Sequence, residues 1–192
     1  QSFTGYERET GEEKSFFIEF FTCNPALGRE QPVFGQLPEN KAKGIRPSYI
    51  CVKAGAWGED ARQLHRFFGW QHAEVAETVP FGIVCEDCFL NETATGGHIL
   101  LTQEDLKQHP EYMCSSGEMS WDLKIEKQIA YNVGYGADKP MRDSEAFEMY
   151  WHAEGMKTAY CGEVTWNGRV YTVSPLTSYG YADKNWGKDF TS

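Results

Sequence analysis

The four residues Trp166-Asn167-Gly168-Arg169 constrain the fold of this chain more than any other stretch. Asn and Gly both accept the positive φ angles of a type I′ turn, and such a turn joins two antiparallel strands through a two-residue loop. The sequence therefore predicts a β-hairpin here. Pairing across its turn places Val164, Trp166, Arg169 and Tyr171 on one face and Glu163, Thr165, Val170 and Thr172 on the other.

Short alternating or apolar segments, separated by Gly, Pro and Asn, run through the rest of the chain. Residues 121–126 alternate apolar and charged side chains with a period of two, and residues 15–23 read as a thick aromatic strand. Aromatic residues make up 15% of the chain, which favours strands over a helical bundle. We predict an all-β fold, either a β-barrel or a strongly curved antiparallel sandwich, with one or two short helices.

Two segments depart from the strand pattern. Thr102 is a suitable N-cap for a short helix over residues 103–109, which has two acids in its first turn, where the helix dipole favours them. Residues 58–70 predict a helical turn with His65 and Phe68 near one face.

The charge of the chain excludes one class of partner. It carries 18 Lys and Arg against 28 Asp and Glu, a net charge of −10, and shows no basic cluster. Nucleic-acid binders need a concentrated basic face, so we expect no nucleic-acid partner. No apolar run approaches the roughly 18–20 residues that span a bilayer, so we expect no transmembrane segment.

The cysteines indicate a compartment. Six are scattered along the chain, a density far below that of a disulfide-stapled secreted scaffold. We predict reduced thiols and a cytoplasmic protein, while the even count leaves three disulfides open. Cys85 and Cys88 form one close pair, but a structural zinc site needs a second such pair or two suitably spaced histidines, so we expect no metal.

The last third of the chain resembles a known family. The segments SWDLKIEKQIAYNVGYG and WHAEGMKTAYCGEVTWNGRVYTVSPLTSYGYADKNWG, between residues 120 and 187, are similar to the tocopherol cyclase family, whose members carry a (D/E)KNWG motif after a glycine-turned hairpin. The same lipocalin-like superfamily holds the carotenoid 1,2-hydratases. The stretch FFIEFF near the start resembles the first strand of the family, although it lacks a Gly-Trp-Tyr common there.

This resemblance implies an architecture. Residues 1–192 would form a single lipocalin-like domain, the N-terminal half of a two-domain protein. The expected partners are then a hydrophobic small molecule and a second lipocalin-like half, in the same precursor or on another chain. No cofactor is expected.

The resemblance also implies a chemistry. Reactions in the family begin with protonation of a carbon–carbon double bond, and a phenol oxygen or water then captures the cation. Asp183 is the expected acid, because a carboxyl group in an aromatic pocket is desolvated and holds its proton more tightly. Lys184 would face the opposite side of an extended strand. The expected ligand-binding residues are Trp121, Tyr131, Trp166, Tyr181, Asn185 and Trp186.

Four further side chains are secondary candidates for acid or base chemistry. They are His65, His152, Glu19 and Glu163. A lone histidine is more often a hydrogen-bonded structural residue, and a carboxylate in a strand is more often on the solvent face.

Three functions remain open from the sequence. The first is a cofactor-free cyclase, hydratase or isomerase acting on an apolar unsaturated molecule, such as a phenolic or isoprenoid one. The second is a non-catalytic lipocalin-like carrier of a hydrophobic ligand. The third is a carbohydrate-binding sandwich, which requires Trp57, Trp70 and Trp151 to line one exposed face. No nucleophile elbow, P-loop or dinucleotide fingerprint is present.

Overall fold

The computed structural model describes residues 1–24, 30–76, 80–129, 140, 143–144 and 149–187, and nearly all of the regular structure in them is β-strand. The predicted all-β class is confirmed, because the strands form a nearly closed antiparallel barrel. The strands are β1 Ser2–Glu7, β2 Glu13–Cys23, β3 Tyr49–Ala56, β4 Arg62–Phe68, β5 Ala73–Ala76, β6 Gly82–Cys85, β7 Cys88–Asn91, β8 Ala94–Leu101, β9 Gly117–Ile129, β10 Met149–Gly155, β11 Lys157–Trp166, β12 Arg169–Val173 and β13 Gly180–Gly187.

The order of strands around the barrel is β4-β3-β2-β1-β12-β11-β9-β8-β7-β6-β5. The two remaining strands form a side sheet, in which β13 pairs with both β1 and β10. Strand β4 also approaches β8 and β9, and three bonds hold this seam. Arg66 donates to the carbonyl of His98 at 2.9 Å, Arg62 to the carbonyl of Ser116 at 3.1 Å, and the amide of Ser115 to the carbonyl of Gln63 at 2.7 Å.

The predicted Asn167-Gly168 hairpin joins β11 to β12. Trp166 pairs with Arg169, and the two turn residues have φ angles of 47° and 82°. Tyr171 is fully buried, so the predicted face of the hairpin lines the barrel interior. The alternation along the strand thus decides which side chains become core.

The barrel interior is filled by large side chains. Phe16 of β2 contacts the rings of Phe3, Trp166 and Tyr171, with its centroid 5.1 Å from that of Tyr171 in an edge-to-face arrangement. The fully buried side chains of greatest volume are Tyr160, Tyr171, Phe16, Ile18, Ile50, Leu64, Ile83, Ile99, Met119, Leu123, Val52 and Val164. Packed side chains therefore fill the interior of the barrel.

Two short helices lie outside the sheet, α1 Pro38–Ala42 and α2 Gln103–Gln108. The predicted cap of α2 is confirmed: the hydroxyl of Thr102 accepts from the amide of Asp105 at 3.1 Å, and the carboxylate of Asp105 accepts from the amide of Thr102 at 2.7 Å. Among the described residues, no helix is long and apolar enough to cross a bilayer.

The helical turn predicted within residues 58–70 is wrong. This segment forms β4, which pairs with β3 along its full length, with Leu64 opposite Ala54 and Phe68 opposite Ile50. The face predicted for His65 and Phe68 is wrong as well, because residues three apart share a face of a helix and lie on opposite faces of a strand. The free edge of β3 decides between helix and strand, because it offers a ladder of hydrogen bonds that a short isolated helix does not have.

Candidate functional site

The motif residues 183–187 lie on β13 where this strand extends past the start of β1. There β13 pairs with β10, which places Tyr150 opposite Trp186, Trp151 opposite Asn185 and His152 opposite Lys184. Alternation along β13 sends odd-numbered and even-numbered side chains to opposite faces of this two-stranded side sheet. The site therefore has two faces with different chemistry.

One face of the side sheet carries a carboxylate held by an indole. The Nε1–H of Trp151 donates to Oδ2 of Asp183 at 3.0 Å, and both side chains are half-buried. Burial is the main cause that raises the pKa of the neighbouring Tyr181 phenol, and the negative charge of Asp183 adds a smaller rise. An acid, an indole and a phenol therefore share one face.

Tyr160 supports this face from the barrel interior. Its hydroxyl donates to the backbone carbonyl of Tyr181 at 3.2 Å and also contacts the side chain of Gln1. Burial is the main cause that raises the pKa of the Tyr160 phenol, and the negative charge of Asp183 adds a smaller rise. Its carbonyl contact fixes β13 against the barrel wall beside Asp183.

The opposite face of the side sheet holds an aromatic stack. The rings of Trp186 and Tyr150 lie 5.5 Å apart between centroids and 9° from parallel. The ammonium of Lys184 lies 5.4 Å from the ring centroid of Phe81, between β5 and β6. Lys184 thus faces away from Asp183, as predicted.

The structure places only some of the predicted ligand-binding residues beside Asp183. Tyr181 and Asn185 share the face of Asp183, and Asn185 is exposed, whereas Trp186 lies on the other face. Trp121 and Trp166 lie in the barrel core, each 4% exposed. Tyr131 lies outside the described residues.

Sequence reasoning missed the role of Trp151 beside Asp183. The two residues are far apart in the chain, and only the pairing of β10 with β13 brings them into contact. The alternating segment MYWHAEG, which contains the indole, predicts a strand. It does not indicate which residue lies opposite Trp151 on a neighbouring strand. Strand register cannot be read from either strand alone.

The secondary candidates are dispersed. Glu19 lies exposed on the outer face of β2, with its carboxylate 3.2 Å from the ammonium of Lys53. Glu163 lies exposed on β11 and forms an ion pair with Arg8. His152 is half-buried on β10, opposite Lys184.

His65 is a buried, hydrogen-bonded histidine on the outer face of β4. Its Nδ1 lies 2.7 Å from the carbonyl of Tyr112, so Nδ1 carries the proton that is donated, and its Nε2 contacts the side-chain amide nitrogen of Gln63. The neutral ring satisfies both contacts, with Nε2 accepting from Gln63. Burial lowers the pKa of His65.

We expect His65 to make folding stability depend on pH. Because its pKa is lowered in the folded state, the unfolded chain binds more protons between the folded pKa and the ordinary value near 6.5. The free energy of unfolding should therefore fall as the pH is lowered through this window. Urea unfolding at pH 7, 6 and 5 should show a shallower loss of stability for His65→Gln than for wild type.

The matched control for this prediction is His72→Gln, at a histidine whose side chain is 41% exposed. The loss of stability in this variant as the pH is lowered is compared with the loss in His65→Gln. An unchanged slope in His65→Gln would contradict the role assigned to His65.

The tryptophans required by the carbohydrate-binding hypothesis do not share a surface. Trp57 is 54% exposed and follows the end of β3, whereas Trp70 follows the end of the antiparallel β4. They therefore lie at opposite ends of this strand pair, and the Nε1–H of Trp70 donates to the carbonyl of Cys23 at 3.0 Å. A depression of about 320 Å³ beside Trp57 is lined mainly by charged side chains and does not suit an apolar ligand.

No family model, curated protein or solved structure matches this chain. The function of the site is therefore inferred from its geometry and from the resemblance of its motif.

Proposed function

We propose that this protein is a cofactor-free enzyme that protonates a carbon–carbon double bond of an apolar, unsaturated small molecule, with Asp183 as the acid. The observation that carries the proposal is the 3.0 Å bond from Trp151 Nε1 to Asp183 Oδ2, because it fixes a carboxyl group among aromatic side chains. The motif resemblance to the tocopherol cyclases supports the same residue.

Asp183 and Trp151 have separate roles in this mechanism. An alkene is a very weak base, so the acid must be close, oriented and protonated when the substrate arrives. Trp151 is a positioning residue: it holds Oδ2, and the proton for transfer sits on Oδ1. An apolar substrate covering this face would exclude water from the carboxyl group.

The cation formed by protonation needs stabilisation without capture by the protein. The side chains of Trp151 and Tyr181 lie near Asp183, and a ring face turned toward the cation would contribute about 0.5–2 kcal/mol by cation–π attraction. Attack by water gives a hydratase, attack by a phenol oxygen of the substrate gives a cyclase, and loss of a neighbouring proton gives an isomerase.

The packing of the barrel supports the placement of the substrate. Large buried side chains fill the middle layers of the barrel, so the substrate binds against the side sheet of β10 and β13. A second lipocalin-like half would cover this face and complete the cavity.

All six cysteines are free thiols, which supports a cytoplasmic setting as part of the proposal.

The proposal is tested by deuterium transfer. The full-length protein is incubated in D₂O with a panel of isoprenoid alkenes, with and without a phenol head group, and the products are analysed by mass spectrometry. Wild type should yield a hydrated, cyclised or isomerised product with deuterium on carbon. Asp183→Asn should lower the rate by roughly 10²–10⁴-fold, the usual contribution of a general acid.

The matched control is Asp122→Asn, the same substitution at an exposed carboxylate on β9. It should retain the wild-type rate, and Trp151→Phe should lower the rate less than Asp183→Asn does. A panel member that binds wild type with no deuterium incorporation identifies a non-catalytic carrier and overturns the proposal.

A further inference from the structure

Cys85 and Cys88 face each other across a tight hairpin. They are the last residue of β6 and the first of β7, they are directly paired in the ladder, and only Glu86 and Asp87 separate them. Directly opposed residues of an antiparallel pair project to the same face. Both side chains are fully buried, so both thiols project into the barrel core.

This arrangement satisfies the backbone requirement for a disulfide. Directly opposed residues in an antiparallel ladder have Cα atoms about 4.5–5.5 Å apart, and disulfides form at Cα separations of roughly 4.4–6.8 Å. The two cysteines therefore need a change of side-chain rotamer and little movement of the backbone. The two thiols are free in this structure.

Arg66 of β4 holds this hairpin. Its guanidinium donates to the carboxylates of Glu86 and Asp87, both at 2.6 Å, and lies 3.8 Å from the sulfur of Cys88. A positive charge beside a sulfur stabilises the thiolate, which is the nucleophilic form. Cys88 is therefore the better nucleophile of the pair.

Burial raises the pKa of both thiols, to about 12 at Cys85, and the charge of Arg66 opposes that rise at each of them. The guanidinium of Arg66 donates directly to the sulfur of Cys88. On the strength of this contact the pair has an attacking thiol, Cys88, and a resolving thiol, Cys85.

We propose that Cys85 and Cys88 form a redox-active dithiol, which a low-molecular-weight disulfide such as glutathione disulfide oxidises to an intramolecular disulfide. The Cys88 thiolate attacks one sulfur of glutathione disulfide and expels a glutathione thiolate, which leaves glutathione attached to Cys88. The Cys85 thiolate then attacks the Cys88 sulfur and expels the second glutathione thiolate. The two protons from the protein thiols pass to the two glutathione thiolates, and two electrons pass to glutathione.

The hairpin has the properties of a site that opens and closes. Glu86 has a φ angle of 56°, a conformation that costs free energy for a residue other than glycine. Strand β7 pairs with β8 at only two positions, Phe89 with Gly96 and Leu90 with Thr95. Opening of this short β7–β8 ladder, with Arg66 still bound to the hairpin, would therefore expose Cys88 while the other strands stay paired, and a disulfide closing so short a loop is readily reversed.

A metal is a poorer occupant for this pair. A structural zinc ion takes four ligands, and among the described residues no group of three or more His, Cys, Asp or Glu side chains is arranged to hold a metal ion. Two opposed thiols meet the requirement of a disulfide without a further ligand.

The test uses the native full-length protein in buffers of varied ratio of reduced to oxidised glutathione. After acid quenching, wild type should show an intramolecular product whose mass is lower by about 2 Da, and peptide mapping should link Cys85 to Cys88. Dithiothreitol should restore both thiols. Cys85→Ser should trap glutathione on Cys88, with a mass gain of about 305 Da, because the resolving thiol is absent.

The matched control is Cys161→Ser, at the exposed cysteine of β11. This variant should form the Cys85–Cys88 disulfide at the wild-type glutathione ratio. The proposal is overturned if wild type retains both thiols until urea unfolds it, or if only mixed disulfides with glutathione form. Neither readout depends on the proposed catalytic activity.

Discussion

Replacement of Phe16 by alanine is expected to lower the free energy of unfolding by about 3–5 kcal/mol, the usual cost of removing a large aromatic side chain from a packed core. Phe16 is fully buried and its ring contacts those of Phe3, Trp166 and Tyr171. The cavity would open where β1, β2 and the Asn167-Gly168 hairpin meet, so neighbouring side chains cannot fill it without moving several strands. Equilibrium urea unfolding followed by tryptophan fluorescence measures the loss.

Phe17→Ala is the matched control, because it makes the same substitution at the next residue of β2. Phe17 points to the outer face of the barrel, where it is half-buried and its ring lies 4.8 Å from that of Trp57. The decrease in the free energy of unfolding caused by Phe17→Ala should be less than half of that caused by Phe16→Ala. Equal losses in the two variants would show that the interior of the barrel is not the main core.

Replacement of Gly162 by alanine is expected to cost about 2–4 kcal/mol, from backbone strain combined with overpacking. Gly162 has a φ angle of 150°, and an added Cβ would collide with the carbonyl oxygen of Asp122 on β9. The residue lies in the middle of β11, paired with Leu123 on one side and Val173 on the other. Relief of the clash therefore requires separating β11 from β9 in the middle of their ladder. Thermal unfolding followed by circular dichroism gives the change in midpoint.

Gly82→Ala is the control for this substitution. Gly82 also lies in a strand, but an added Cβ there meets no atom within 4 Å, and its φ angle is not in the left-handed region. Stability should rise by up to about 1 kcal/mol, because alanine reduces the entropy of the unfolded chain. A destabilisation of Gly82→Ala as large as that of Gly162→Ala would remove the steric explanation.

The two proposals make use of different parts of the barrel. Asp183 and Trp151 lie on the side sheet, whereas Cys85 and Cys88 lie in the hairpin held by Arg66. Among the described residues no hydrogen bond or ion pair joins Asp183 or Trp151 to Cys85 or Cys88, so loss of one function should leave the other in place. Deuterium transfer by the oxidised protein would show whether the redox state changes catalysis.

The local pattern of the sequence was sufficient for the strand class and for several elements. Alternation along residues 121–126 predicted a strand with Trp121, Leu123 and Ile125 on one side, and all three lie buried in β9. The turn at Asn167-Gly168 and the cap at Thr102 followed from the backbone preferences of a few adjacent residues. These features depend on interactions within a few positions of the chain, which a single sequence displays directly.

The helical turn expected within residues 58–70 shows where local pattern is insufficient. His65 and Phe68 have a spacing that suits one face of a helix, yet they lie on opposite faces of β4. Only pairing with β3 selects the strand, and that pairing depends on residues elsewhere in the chain. Short apolar segments are ambiguous for this reason.

The candidate site also has features that the local sequence pattern predicts and features that depend on strand pairing. By itself the sequence determined that Asp183 and Lys184 point in opposite directions, since alternation is a property of any extended strand. Tertiary structure decided which neighbours these side chains have: it placed Trp151 against Asp183, stacked Trp186 on Tyr150, and enclosed Trp121 and Trp166 in the core. The physical reason is that strand register and barrel closure are set by the summed packing of distant segments, which no local pattern contains.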